Sequence, residues 1–146
     1  MKALSVKQPW AWAIIEGLKD IENRGWCCWH KGPLLIHTGK QFDDEGYYFL
    51  QHFWDDAYMN PEDKPRIPLK QEYVLGSIIG KVLMVDCIHH DHLTYKYNPW
   101  FFRPWGFVFI KPTKFKNPIP YKGRLGIFDV PGDVMIKQTD ILINTH

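Results

Sequence analysis

The chain has no run of the roughly 20 apolar residues that a membrane span requires. Its longest apolar stretch, Val74 to Ile88, is broken by Gly76, Gly80, Lys81 and Asp86. The opening Met1-Lys2-Ala3-Leu4-Ser5 has neither the apolar core nor the small-residue cleavage site of a secretory leader. These absences predict a cytoplasmic protein without membrane contact. Cysteine is scarce, with three in 146 residues and two of them adjacent as Cys27 and Cys28. An odd count leaves one without a mate, and neighbours on a strand face opposite ways, so reduced thiols are expected rather than a disulfide framework. A large excess of one charge is missing too: the net charge is +2, without the global basicity of proteins that grip long duplexes. No internal repeat or low-complexity tract is visible.

What is present is the composition of a folded domain, 45% hydrophobic and 23% charged. The length suits a single domain over residues 1–146, and a monomer is expected. Charge is unevenly spread. Residues 1–40 hold six Lys/Arg against three Asp/Glu, residues 41–72 three against eight, and residues 73–146 nine against five. Basic flanks around an acidic middle allow a positive face for phosphates.

Along the chain, Lys2 to Val6 reads as a strand, and Pro9 suits the first turn of a helix in which Trp10, Ile14 and Ala11, Ile15, Leu18 recur at helical spacing. Gly17 is placed to end it. Asp20 to Trp26 alternates, with Asp20, Glu22, Arg24 and Trp26 on one face and Ile21, Asn23 on the other. Leu34 to Thr38 reads as the next strand, and Asp43 to about Trp54 as an amphipathic helix weakened by Gly46. Asn60 to Gln71, with three prolines, predicts an exposed loop. Tyr73 to Ile88 predicts one long bent strand, Asn98 to Pro104 a turn, Gly106 to Ile110 a strand ended by Pro112, and Leu125 to Val130 a last strand. The segment Asp133 to His146 reads equally as a helix or an extended arm. The sum is an α+β fold, a small mixed β-barrel with two or three inserted helices.

Gly17-Leu18-Lys19-Asp20-Ile21-Glu22-Asn23-Arg24 forms the pattern G-x-K-x-x-E-x-R directly after Gln8-Pro9-Trp10. On these residues the chain resembles the ASCH family, a PUA-like group. Leu4 to Ala11, Gly32 to His37, Gly80-Lys81-Val82, Trp105-Gly106-Phe107 and Gly123 to Phe128 resemble further landmarks of that family, so nearly the whole chain is covered. The resemblance implies a PUA-like barrel whose cleft is lined by the motif and binds RNA or, less often, DNA. The residue chemistry agrees in part. Lys19 offers a point charge, Arg24 a planar fork for phosphate, and Trp10 or Trp26 a stacking surface worth about 1–3 kcal/mol per base. Glu22 can orient Arg24 or accept a base amino group. Lys7, Gln8 and Lys40 complete the expected nucleic-acid-binding set, with RNA, single-stranded DNA or a nucleoside as partner. The same Glu22 and Arg24 also read as a plain ion pair on a barrel rim, and Trp10 as core.

Some relatives implied by the resemblance are amidohydrolases acting on acetylated cytidine, with a threonine nucleophile three residues after the motif lysine. Glu22 occupies that position here, so the threonine mechanism does not transfer. The alternative function is therefore a hydrolase of a modified nucleoside or a ribonuclease, in which Glu22 acts as general base if burial raises its pKa and Lys19 stabilises the developing charge. No cofactor is implied. Cys87-Ile88-His89-His90-Asp91-His92 holds metal-type ligands, with Cys28 and His30 as conceivable additions, but adjacent histidines on a strand diverge and no closed zinc spacing appears, so no metal site is expected. Lys111, Lys114, Lys116, Lys122 and Arg124 read as a backbone-tracking patch or as a solvated hairpin face.

Overall fold

Leu34, Leu35 and Ile36 follow one another along a strand and are all fully buried. Successive strand side chains point opposite ways, so this strand must be covered on both faces. It is β3, Gly32–Phe42, within a six-stranded mixed sheet. The other strands are β1 (Lys2–Gln8), β2 (Ile21–Arg24), β4 (Ser77–His89), β5 (Trp105–Pro120) and β6 (Ile127–Asp129), in the spatial order β2-β5-β4-β3-β1-β6. Among the described residues three α-helices accompany them: α1 (Trp10–Ile15), α2 (Asp44–Ala57) and α3 (Gly132–Ile136). The computed structural model describes residues 1–57, 62, 65–91, 98–102 and 104–136. His92, Asn60 and Pro61 of the proline-rich loop, and the tail beyond Ile136 lie outside the described residues.

The alternation sorts the core into separate clusters. Leu4, Val6, Leu34, Ile36, Val82, Met84, Phe107 and Phe109 gather on one face under Ala11, Ile14 and Ile15 of α1. Ala3, Leu35, Ile78, Phe115 and Phe128 gather on the other. A third cluster, Ile21, Leu50, Ile88, Trp100 and Val108, seats α2 through Leu50. Full burial of one such side chain contributes about 1.5–3 kcal/mol. Gly17, with φ of +80°, terminates the α1 segment in the left-handed region as expected.

The α+β, barrel-like architecture is present, although the sheet is open, with β2 and β6 at its edges. β1 pairs parallel with β3, while the β1–β6, β2–β5, β3–β4 and β4–β5 pairings are antiparallel. β4 begins at Ser77 rather than Tyr73, and its register shifts between Ile78 and Gly80, where a bend was expected. The expectation that Pro112 ends a strand is corrected: β5 runs on to Pro120. Leu83 pairs with Ile110 and Lys81 with Thr113, so Lys111 and Pro112 oppose a single residue in a bulge where Lys111 has φ of 51°. The missing proline N–H therefore costs no ladder bond. Residues 65–69 have no regular structure, and a 3₁₀ turn follows at Lys70–Glu72. No helix among the described residues is long and apolar enough to cross a membrane.

Candidate functional site

Glu22 is the centre of the site. It sits on β2 opposite Phe107 of β5, and only 8% of its surface is exposed. Its alternation partner on the same strand face is Arg24, and the turn after α1 returns Lys19 to the same spot. Lys19 Nζ donates to Glu22 Oε1 at 3.0 Å. Arg24 donates to Glu22 Oε2 from Nε at 3.1 Å and from Nη2 at 2.9 Å. Both carboxylate oxygens are thus engaged by cations. Burial pushes the Glu22 pKa up, but the charges and hydrogen bonds of Lys19 and Arg24 outweigh it and hold the carboxyl below its ordinary value. The condition for Glu22 as a general base, a raised pKa, is not met.

Around this triad lies a cavity of about 610 Å³. Of the eight expected binding residues, Lys7, Trp10, Lys19, Glu22, Arg24 and Lys40 line it. Gln8 and Trp26 do not. The pairing between β1 and β3 shifts by two residues between Val6 and Gln8, and the Gln8 side chain lies outside the cavity. There it accepts the Trp12 N–H at 2.8 Å and donates to Val74 O at 3.2 Å, tying the start of α1 to the segment before β4. Trp26 lies beyond the end of β2, and its ring packs edge-on against Phe107 at 5.1 Å.

Several residues at the site were not anticipated. Asn23 donates to Trp100 O at 2.8 Å and accepts the Phe102 N–H at 2.9 Å, which sets Phe102, about half exposed, at the cavity mouth. Asp43 caps α2 by accepting the Gly46 N–H at 2.9 Å, and its other oxygen accepts the Trp10 Nε1–H at 2.9 Å. That indole is held beneath Lys19, whose Nζ lies 5.3 Å from the ring centroid. A Cβ at position 46 would fall 2.6 Å from Trp10 Nε1, so the glycine that weakens α2 in isolation is what lets the indole approach it. The Asp43-x-x-Gly46 spacing carried the only trace of this in the sequence.

Ser5 and His37 form a second polar pair, with Ser5 Oγ 2.8 Å from His37 Nδ1 and His37 Nε2 2.6 Å from Tyr121 O. Their strand neighbours Leu4 and Ile36 face the α1 side, so alternation aims both side chains at the opposite face, where the His37 ring meets Phe128. Ser5 reaches the cavity wall through its backbone, whose carbonyl accepts Arg24 Nη2 at 2.7 Å. Lys111, Lys114, Lys116, Lys122 and Arg124 are all exposed, and Lys114 pairs with Glu16 at 3.0 Å.

A mixed sheet of this order with its accompanying helices is an architecture that solved structures share. The crystal structure of ASCH from Zymomonas mobilis has a TM-score of 0.60 at 12% identity, covering 98% of this chain and 96% of that one. A mutant form of the same protein gives 0.59 at 12% identity, covering 97% and 96%. At such identity the likeness is one of fold. The ASCH domain model matches residues 4–123, and the chain belongs to the ASCH domain family, a PUA-like family generally linked to RNA binding. Mouse activating signal cointegrator 1 is 31% identical over 86 residues, which is 58% of this chain and 14% of that protein. The human protein of the same name is 25% identical over 135 residues, 90% of this chain and 22% of that protein. The chain thus spans less than a quarter of the length of these relatives.

Proposed function

We propose that the cavity binds single-stranded nucleic acid, RNA in the first place, one nucleotide of which enters it. The observation that carries this reading is charge: Lys7, Lys19, Arg24 and Lys40 line the cavity against Glu22 as the single acidic lining residue among the described residues. Lys19 and part of Arg24 neutralise Glu22, while Lys7 and Lys40 are exposed at the ends of β1 and β3. They suit successive phosphates. Phe102, about half exposed, and Trp10 both line the cavity and supply aromatic surface for a base. A hydrolase role for Glu22 draws no support from a carboxylate whose oxygens are both occupied and whose pKa is lowered.

The test is a fluorescence titration of the protein with short single-stranded RNA and DNA across a salt series. Saturable binding is expected, and Lys7→Ala/Lys40→Ala should reduce the slope of log K against log salt by about 1.4, two phosphate contacts at roughly 0.7 each. Binding with a slope untouched by the double variant would place the nucleic acid elsewhere. No binding of either strand, with turnover of a free nucleoside, would replace this reading by the hydrolase.

A further inference from the structure

His89 closes β4, and His90 and Asp91 form the turn that follows. Adjacent histidines were expected to diverge. They do not, because His90 has left the extended conformation, and the two ring centroids stand 4.0 Å apart. The Asp91 carboxylate faces both: Oδ2 is 3.4 Å from His89 Nδ1, and Oδ1 is 3.2 Å from His90 Nε2. One donor atom from each of the three residues lies within 4.8 Å of the others.

These separations have a chemical meaning. A tetrahedral zinc ion takes its nitrogen and oxygen ligands at about 2.0–2.2 Å, which places neighbouring ligand atoms about 3.3 Å apart. The two contacts run to different Asp91 oxygens, and donors within 4.8 Å of one another close on one ion by small side-chain rotations. Two imidazoles with one carboxylate suit zinc and the late first-row dications, whereas calcium and magnesium prefer all-oxygen shells. We propose that His89, His90 and Asp91 form a three-ligand site for zinc or a similar transition-metal dication, with a fourth position left to solvent. The Asp91 N–H reaches His89 Nδ1 only at 3.4 Å, a contact long enough to yield to a metal bond. Approach is open, since the side chains are 40%, 37% and 80% exposed.

The nearby thiols stand apart from this set. Cys28 Sγ accepts the His30 N–H, Cys87 Sγ accepts the Cys28 N–H, and His30 Nε2 lies 2.9 Å from Pro33 O. What the metal would do is staple the end of β4, where the His90 N–H already donates to Pro104 O at 2.9 Å ahead of β5. Trp105 reports on the site, its ring meeting that of His89 edge-on at 4.9 Å.

The experiment is calorimetric titration of zinc chloride into tag-free, chelator-stripped protein, repeated with cobalt to read its visible absorption. One saturable equivalent is expected, with an absorption of tetrahedral strength. Copper should quench a component of the fluorescence that Trp105→Phe removes. His89→Ala/His90→Ala and, separately, Asp91→Asn should each weaken zinc binding by about tenfold or more, while Cys87→Ser leaves it unchanged. No saturable uptake, or affinity equal in wild type and both variants, would overturn the site.

Discussion

Arg24 on β2 donates from Nη2 to the carbonyl of Ser5 on β1 at 2.7 Å, although β2 and β1 are not hydrogen-bonded neighbours in the sheet. One guanidinium therefore spans the curled sheet and holds Glu22 at the same time. The wall of the cavity is made by a side chain rather than by a strand ladder, so changes to Glu22 act on both stability and binding.

Glu22→Gln removes the charge that compensates Lys19, whose side chain is 4% exposed. Breaking a buried pair from one side is expected to cost about 3–5 kcal/mol by urea unfolding. The double variant Glu22→Leu/Lys19→Met should recover much of that loss, because the buried ammonium is gone and Arg24, which loses its carboxylate, is partly exposed and keeps its bond to Ser5 O. Equal losses in both variants would show that packing, not charge, governs the position.

The pH dependence follows from the same pair. Glu22 has its folded-state pKa below the usual 4.5, so its contribution to stability is full above about 4.5 and is lost as pH falls through the lower, folded value. His37, lowered by burial although its bond to Tyr121 O acts the other way, also gives acid-side loss, beginning at about 6.5, its ordinary value. The His37 effect is common to wild type and Glu22→Gln. The difference in unfolding free energy between them should therefore stay level from neutral pH to about 4.5 and shrink below it. A difference that narrows already near neutrality would contradict the lowered Glu22 value.

Asn23→Ala removes two bonds that hold the 98–102 turn against β2. The expected cost is about 1–3 kcal/mol, most of it from the polar groups left without partners. Nucleic-acid affinity should fall as Phe102 loses its fixed place, with the salt slope unchanged because the substitution removes no charge. A changed slope would mean that the turn also positions a lysine.

Tyr73 is buried among Trp12, Phe42 and Tyr47, and its hydroxyl has no hydrogen-bond partner among the described residues. Burial is the main reason that its pKa is raised well above the ordinary tyrosine value. Removing a buried donor that has no partner relieves a desolvation cost, so Tyr73→Phe should leave the thermal midpoint unchanged or raise it. A clear loss of stability would reveal a partner for the hydroxyl.

Local order was legible in the sequence by itself. The helical spacing after Pro9 and the alternation of Glu22 with Arg24 each report which face of its own element a residue occupies, and the apolar run at Leu34 to Thr38 reports a strand covered on both faces. The G-x-K-x-x-E-x-R spacing was enough to bring Lys19, Glu22 and Arg24 together. Tertiary structure alone decided which faces meet. Gln8, past a two-residue change of register, bonds Trp12 and Val74 outside the cavity, and Trp26, beyond the end of β2, packs against Phe107. Asn23 acts on Trp100, 77 residues away, a pairing that no local period encodes. The lowered pKa of Glu22 likewise depends on two cations outweighing burial, and the meeting of His89 with His90 on where β4 stops. Periodicity is a property of one segment, whereas a cavity is made where segments distant in sequence pack together.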